Sequence, residues 1–204
     1  AHAQAILTAQ SNRTPVRLVS DMTTGGNDIH TAEDSRARPQ LLLDGGSFDR
    51  LYRPAPKLVI AGKGPAVIAA AEIGSAAGLE VLAVTTEDDT AAAAKSFGAR
   101  TRKVLDLAEL DAWTAVATLF HEHDLENPVL AAAMESDAFY IGALGSRKTQ
   151  SERLARLADE GWTDNQCGRI HGPAGLDIGS RNPPEIAISL IAQVLKVYRD
   201  SFPT

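Results

Sequence analysis

The chain has 204 residues, 44% of them apolar, which is enough to bury the core of one ordinary domain with a small appendage. Twenty-six acidic residues against 20 basic ones give a net charge of -6, which counts against non-specific binding to nucleic acid or to an anionic membrane surface. The lone cysteine, Cys167, excludes an internal disulfide and fits a reducing, cytoplasmic setting; no apolar run approaches the roughly 20 residues of a membrane span, and no leader-type N-terminus is expected.

Residues 1–53 read as a small N-terminal segment, partly irregular. Met22 to Gln40 is polar and rich in turn formers, and is expected to be a long loop or poorly ordered. Leu41 to Leu43, followed by Asp44-Gly45-Gly46, is a short apolar run closed by a turn, suited to a small antiparallel layer or to the remnant of a fuller domain. Arg53-Pro54-Ala55-Pro56 reads as a stiff linker, so a second region, 54–204, begins here.

From Lys57 onward, short apolar runs alternate with helical stretches. Leu58–Ala61 predicts a buried strand, Pro65–Ala77 an alanine-rich helix ending at Gly78, and Glu80–Val84 a second strand. Asp88–Phe97 predicts a helix stopped at Gly98, and Trp113–Phe120 another strand. Leu125–Glu135 reads as a helix with Pro128 in its first turn, Ala138–Ala143 as a strand, and Arg147–Glu160 as an amphipathic helix closed by Gly161. Pro183–Arg199 is the last helix, with Asn182 as cap and Glu185 placed for a capping box. This alternation predicts an α/β fold, a Rossmann-like parallel sheet with helices on both faces plus the N-terminal appendage. Ligands of such sheets bind outside the carboxyl ends of the strands.

Four loops carry chemistry. Gly62-Lys63-Gly64-Pro65 joins a strand to a helix where a phosphate-binding turn belongs. Val67 stands at the third glycine position and no acid ends the second strand, where Thr85 and Thr86 precede Glu87, so NAD(P) is disfavoured as a ligand. In Phe120–Pro128, His121 and His123 would share a face of an extended chain, but Leu125 breaks the spacing of a helical metal site and no metal ligand set is assigned. Gly145-Ser146-Arg147 combines a close backbone, a helix cap and positive charge, and suits an anion. Arg169–Ser180 holds three glycines and a proline, with Asp177 as an acceptor for a ligand or a brace for the loop. For each loop the plainer alternative is a tight turn with solvated or capping side chains. Cys167 reads first as a small packing residue.

Three ordered segments make the sequence recognisable: Ala138 to Arg147 (AFYIGALGSR), Arg169 to Gly179 (RIHGPAGLDIG) and Pro184 to Ser189 (PEIAIS). With the His121-Glu122 pair and Asn127-Pro128 downstream, the stretch from about Pro54 to Tyr198 resembles the XdhC/CoxI family of xanthine dehydrogenase accessory proteins. It departs from the family in its Lys63-Gly64-Pro65 loop, and in Phe120 and Glu122, which replace a threonine and an aspartate. The resemblance implies a protein that binds molybdenum cofactor (molybdopterin), guards it while its terminal sulfur ligand is installed, and passes it to a xanthine dehydrogenase-type molybdoenzyme. It also implies a cysteine desulfurase as a partner, is compatible with a homo-oligomer, and implies a cofactor site formed by Gly62, Lys63, Gly64, Pro65, His121, Glu122, Gly145, Ser146, Arg147, Asp177 and Gly179. These loops are expected to converge on one pocket. Two other readings stay open: an NAD(P)-dependent oxidoreductase on the same sheet, and an interaction module without a ligand.

Overall fold

A computed structural model describes residues 2–32, 39–120 and 122–203. The chain divides into two compact units, 1–55 with 198–204, and 56–197.

The first unit contains helix α1 (His2–Ser11) and a four-stranded antiparallel sheet of β1 (Val16–Asp21), β2 (Asn27–Thr31), β3 (Leu41–Asp44) and β4 (Ser47–Tyr52), in the order β2-β1-β4-β3. The apolar run at 41–43 is thus a strand of a small antiparallel layer. The loop expected over 22–40 is interrupted by β2. Its polar residues hide no apolar face, and the strand is held by backbone pairing with β1, from Val16 opposite Thr31 to Ser20 opposite Asn27. Residues 33–38, within that expected loop, lie outside the described residues. Arg17 on β1 forms an ion pair with Asp49 on β4. In the same unit Arg53 lies over the Phe202 ring and donates to the carbonyl of Pro203.

The second unit is a six-stranded, wholly parallel sheet. Its strands are β5 (Lys57–Gly62), β6 (Glu80–Val84), β7 (Arg100–Arg102), β8 (Thr114–Leu119), β9 (Tyr140–Ala143) and β10 (Ile170–His171), in the order β7-β6-β5-β8-β9-β10. The connecting helices are α2 (Pro65–Ala76), α3 (Asp88–Ser96), α4 (His123–Glu135), α5 (Arg147–Asp159), the short α6 (Asp164–Cys167) and α7 (Pro183–Ser201). Alternation along β5 sends Leu58 and Ile60 to one face, with Val67 of α2, Ala94 of α3 and Leu190 of α7. It sends Val59 and Ala61 to the other, with Leu130 of α4, Leu157 of α5 and Cys167 of α6. Every residue of β5 and β8 is buried, as a central parallel strand requires.

Two local expectations change. Helix α4 begins at His123, so Pro128 lies inside it rather than in its first turn, and the carbonyl of Asp124 four residues earlier loses its helical donor. His123 is therefore helical, and His121, with which it was expected to share an extended face, lies outside the described residues. At the start of α7, Asn182 Oδ1 accepts from the Glu185 N–H, and the Glu185 carboxylate reaches the Arg181 N–H and the Asn182 amide instead of closing a box on the Asn182 N–H.

An ion cluster closes the amino end of the sheet. Lys57 at the start of β5 donates to the carbonyl and carboxylate of Glu109, which also receives the Arg100 guanidinium. Hydrogen bonds from Arg100 and then Lys57 hold the Glu109 carboxyl down from an ordinary 4.5 to about 2. Because the folded value is the lower one, the stability from this group is present above about pH 4.5 and is lost as pH falls towards about 2. Glu109→Gln should therefore be less stable than the parent at neutral pH, and the gap should close through that acid window. Urea unfolding at several pH values measures it; a gap independent of pH would show that the carboxylate contributes no linkage.

Candidate functional site

The chain leaves β5 outward through β6 and β7, then returns to place β8 on the other side of β5. β5 and β8 stay paired through Gly62 and Leu119, but the connections leaving them run in opposite directions, and the crevice lies between those loops, outside the carboxyl ends of the strands. The loops of the predicted site flank it along the carboxyl edge.

At the crevice itself, Gly62 ends β5 and packs so tightly on β8 that a Cβ there would lie 2.8 Å from the Leu119 carbonyl oxygen. Gly64 follows at φ 73°, and Pro65 begins α2, which has no side-chain cap. Lys63 Nζ crosses the crevice to Glu122 Oε1 at 2.5 Å; that hydrogen bond, and then the carboxylate charge, raise the lysine pKa. The turn is not an open anion cradle. The Gly64 N–H donates to Thr90 Oγ1 on α3 at 3.0 Å, and the Thr90 hydroxyl donates to Glu87 at 2.8 Å. Val67, which stands at the third glycine position of the turn, is fully buried among the sheet residues, so the helix accommodates it as core. Thr85, at the strand end where an acid would read a ribose, is itself buried.

Further along the edge, Ser146 caps α5 by accepting from the Thr149 N–H at 3.1 Å. Gly145 precedes it at φ 145°, and Arg147 opens the helix. Arg147 Nη2 stands 3.6 Å from Asp177 Oδ2, with both side chains about nine-tenths exposed. Gly145, Arg147, Asp177 and Gly179 line one cavity of about 410 Å³. The loop between β10 and α7 forms its wall and lies close on α7: Gly175 has φ 101°, its N–H donates to Gln193, and a Cβ there would overlap the Ser189 hydroxyl. Among the described residues, the loops at 145–147 and 173–180 share this cavity, and His121 lies outside the described residues. Lys63 and Glu122 pair with each other at the crevice, and Gly62, Gly64, Pro65 and Ser146 act in turn and cap geometry. Ile186 and Ser189 of α7 also line the cavity. Both belong to the recognisable Pro184–Ser189 segment, but an isoleucine and a serine within a helix carried no chemistry that marked them as site residues.

Beside the cavity, His171 stacks on Tyr140 with ring centroids 4.7 Å apart, and burial lowers the imidazole pKa. Tyr140 donates its hydroxyl to Gln193 at 2.7 Å, and burial pushes its phenol up. Cys167 is buried, and its thiol is raised by burial and then by Asp164, which suits packing rather than nucleophilic use. Among the described residues no three His, Cys, Asp or Glu side chains gather to hold a metal ion, and no helix is long and apolar enough to cross a membrane.

Strand order, buried parallel strands and a cavity built from strand-end loops define a doubly wound nucleotide-binding-type α/β protein. The family model described as the XdhC Rossmann domain matches residues 58–194, and the chain belongs to that family. It is 40% identical over 90 residues to the molybdenum cofactor insertion chaperone PaoD of Escherichia coli, covering 44% of this chain and 28% of PaoD. It is 24% identical over 155 residues to a probable xanthine dehydrogenase component of Bacillus subtilis, covering 73% of this chain and 45% of that protein. The chain thus spans less than half the length of either relative. A solved structure of a xanthine dehydrogenase from Bacillus halodurans shares the fold, with a TM-score of 0.72 at 22% identity over 99% of this chain and 65% of that one.

Thr90→Val tests whether the Gly64 turn is closed from within. It should cost about 0.5–1.5 kcal/mol in urea unfolding, since it removes the hydroxyl that the half-buried Gly64 N–H bonds, while the exposed Glu87 carboxylate turns to water. An unchanged stability would mean that this N–H is free for a ligand.

Proposed function

We propose that the chain is an accessory protein that binds molybdenum cofactor and delivers it to a xanthine dehydrogenase-type molybdenum hydroxylase. The observation that carries this is the cavity of about 410 Å³ whose lining comes from the two strand-end loops Leu144–Arg147 and Pro173–Ser180. Membership of the XdhC family and the name of the relative PaoD point the same way.

The cavity's donor set suits the organic part of the cofactor. Arg147 and the first-turn N–H groups of α5 that Ser146 does not cap would take the phosphate. The Asp177 carboxylate would accept from ring N–H groups of the pterin. The Arg147–Asp177 pair is long and solvated, so its attraction is weak and both groups can turn to a ligand. Once transferred, the cofactor's molybdenum and terminal sulfur ligand supply the client enzyme's chemistry. This chain's own residues hold and shield. Cys167 is buried and plays no part as a sulfur carrier in this reading; a cysteine desulfurase partner would be the source of the sulfur.

Purified anaerobically from a molybdopterin-producing host, the protein should carry pterin detectable by fluorescence after oxidation. Arg147→Ala should weaken retention roughly ten- to a hundredfold, the usual scale of a lost charge-assisted hydrogen bond. His123→Ala, on the exposed first residue of α4, should retain pterin like the parent. Absence of pterin from the parent protein, or full retention by Arg147→Ala, would overturn the assignment.

A further inference from the structure

The cavity has three walls from separate parts of the chain: the loop leaving β9, the loop leaving β10, and Ile186 and Ser189 of α7. One atom joins all three. Gln193 lies one turn beyond Ser189 on α7, and its Oε1 accepts from the Tyr140 hydroxyl at 2.7 Å and from the Gly175 N–H at 2.8 Å. Tyr140 opens β9, the strand that runs into Leu144 and Gly145, and Gly175 belongs to the second loop wall. Gln193 is not itself among the residues that line the cavity.

Both donors are held in place from other sides. Tyr140 is 1% exposed, and a hydroxyl that dry is costly without a partner. His171 stacks on its ring with 15° between the planes, and its hydroxyl passes so close to Gly142 that a Cβ there would collide with the oxygen. On either side of Gly175, the N–H groups of Ala174 and Leu176 donate to the carbonyls of Ala143 and Ser189 at 2.9 and 3.1 Å. Three consecutive N–H groups thus fasten the base of the loop, and Gln193 supplies the one side-chain acceptor of the three. Beyond this base, the side chain of Asp177 is 87% exposed and Ile178 is 55% exposed, so their place over the cavity is inherited from it.

We propose that Gln193 is a positioning residue for the ligand of this cavity: its carboxamide oxygen holds the two loop walls and α7 at the spacing on which Arg147 and Asp177 converge. That the ligand is the pterin cofactor rests on the function proposed above; the coupling of the walls does not. The role needs an acceptor at that point, because both contacts are made to the oxygen. Glutamate keeps the acceptor. Methionine keeps the length and the helix propensity, and its sulfur is a poor acceptor.

The test compares Gln193→Met and Gln193→Glu in the whole chain, with Glu109→Gln, at the amino end of the sheet, as a variant that loses stability away from the cavity. In protein from a host unable to make the pterin, hydrogen exchange should quicken about tenfold in Gln193→Met across peptides 144–148 and 172–180, and keep the parent's rate there in Gln193→Glu. In protein from a molybdopterin-producing host, Gln193→Met should hold pterin about tenfold less tightly than the parent, while Gln193→Glu and Glu109→Gln hold it like the parent. Tyr140→Phe removes one donor of the two and should fall between. Unchanged exchange in Gln193→Met, or full pterin retention by it, would overturn the proposal. Equal pterin loss in Gln193→Met, Gln193→Glu and Glu109→Gln would also overturn it and assign the effect to stability alone. Absence of pterin from the parent, with exchange quickened in both walls by methionine and not by glutamate, would remove the cofactor role and leave the coupling of the walls standing.

Discussion

Arg153 and Glu126 are 1% and 2% exposed, and neither charge could remain there without the other. The guanidinium spans both carboxylate oxygens, with Nε to Oε2 at 2.9 Å and Nη2 to Oε1 at 3.0 Å. Its remaining donors reach the Leu144 carbonyl at 2.7 Å and Gln150 at 2.5 Å, while Thr118 of β8 donates to Glu126 at 3.0 Å. One buried pair thereby ties β8, the end of β9, α4 and α5 into a fixed arrangement. Leu144 is the residue before Gly145, so the pair sets where the first wall of the cavity begins. Removing one partner of such a pair typically costs about 3–5 kcal/mol, because the other is left charged and dry. The desolvation is justified by position rather than by net stability: two helices and two strands meet where a hydrophobic contact would fix depth but not register.

That constraint also explains what was legible in the sequence. Neither Glu126 nor Arg153 stood out, since each sits in a charged amphipathic stretch where such residues normally face water. Their pairing depends on a tertiary approach across 27 positions. By contrast, the long central elements announced themselves through period and punctuation. Leu58–Ala61 and Glu80–Val84 are apolar runs bounded by turn formers, the helices at 147 and 183 begin on Ser146 and Asn182, and those at 65, 88 and 147 stop at Gly78, Gly98 and Gly161. The edge strands did not, because Arg100–Arg102 is polar and Ile170–His171 is two residues long, and both exist through backbone pairing with a neighbour already in place. The polar β2 was hidden for the same reason.

The site residues divide along a similar line. Gly145, Arg147, Asp177 and Gly179 were visible as loop chemistry at strand ends, and the fold gathers them. The glycine turn at 62–64 was equally visible, yet Thr90 from α3 occupies its amide and Glu122 occupies its lysine, contacts that local sequence does not announce. An apolar hollow at the ends of β6 to β8 had no motif at all. It is made of valine, leucine, proline and phenylalanine residues that read individually as core. The carboxyl edge thus carries three environments in order along the sheet: a hydrogen-bonding cavity beside β9 and β10, a cation paired across the β5–β8 crevice, and an apolar hollow beyond it.

The central claim is that the cavity between Leu144–Arg147 and Pro173–Ser180 holds the cofactor. Hydrogen exchange read by mass spectrometry, comparing protein purified anaerobically from a molybdopterin-producing host with protein from a host unable to make the pterin, tests it most directly. Peptides spanning 144–148 and 173–180 should exchange more slowly in the first sample, with the β3–β4 hairpin of the N-terminal unit unchanged. Identical exchange in both peptides, or protection confined to other segments, would contradict the account.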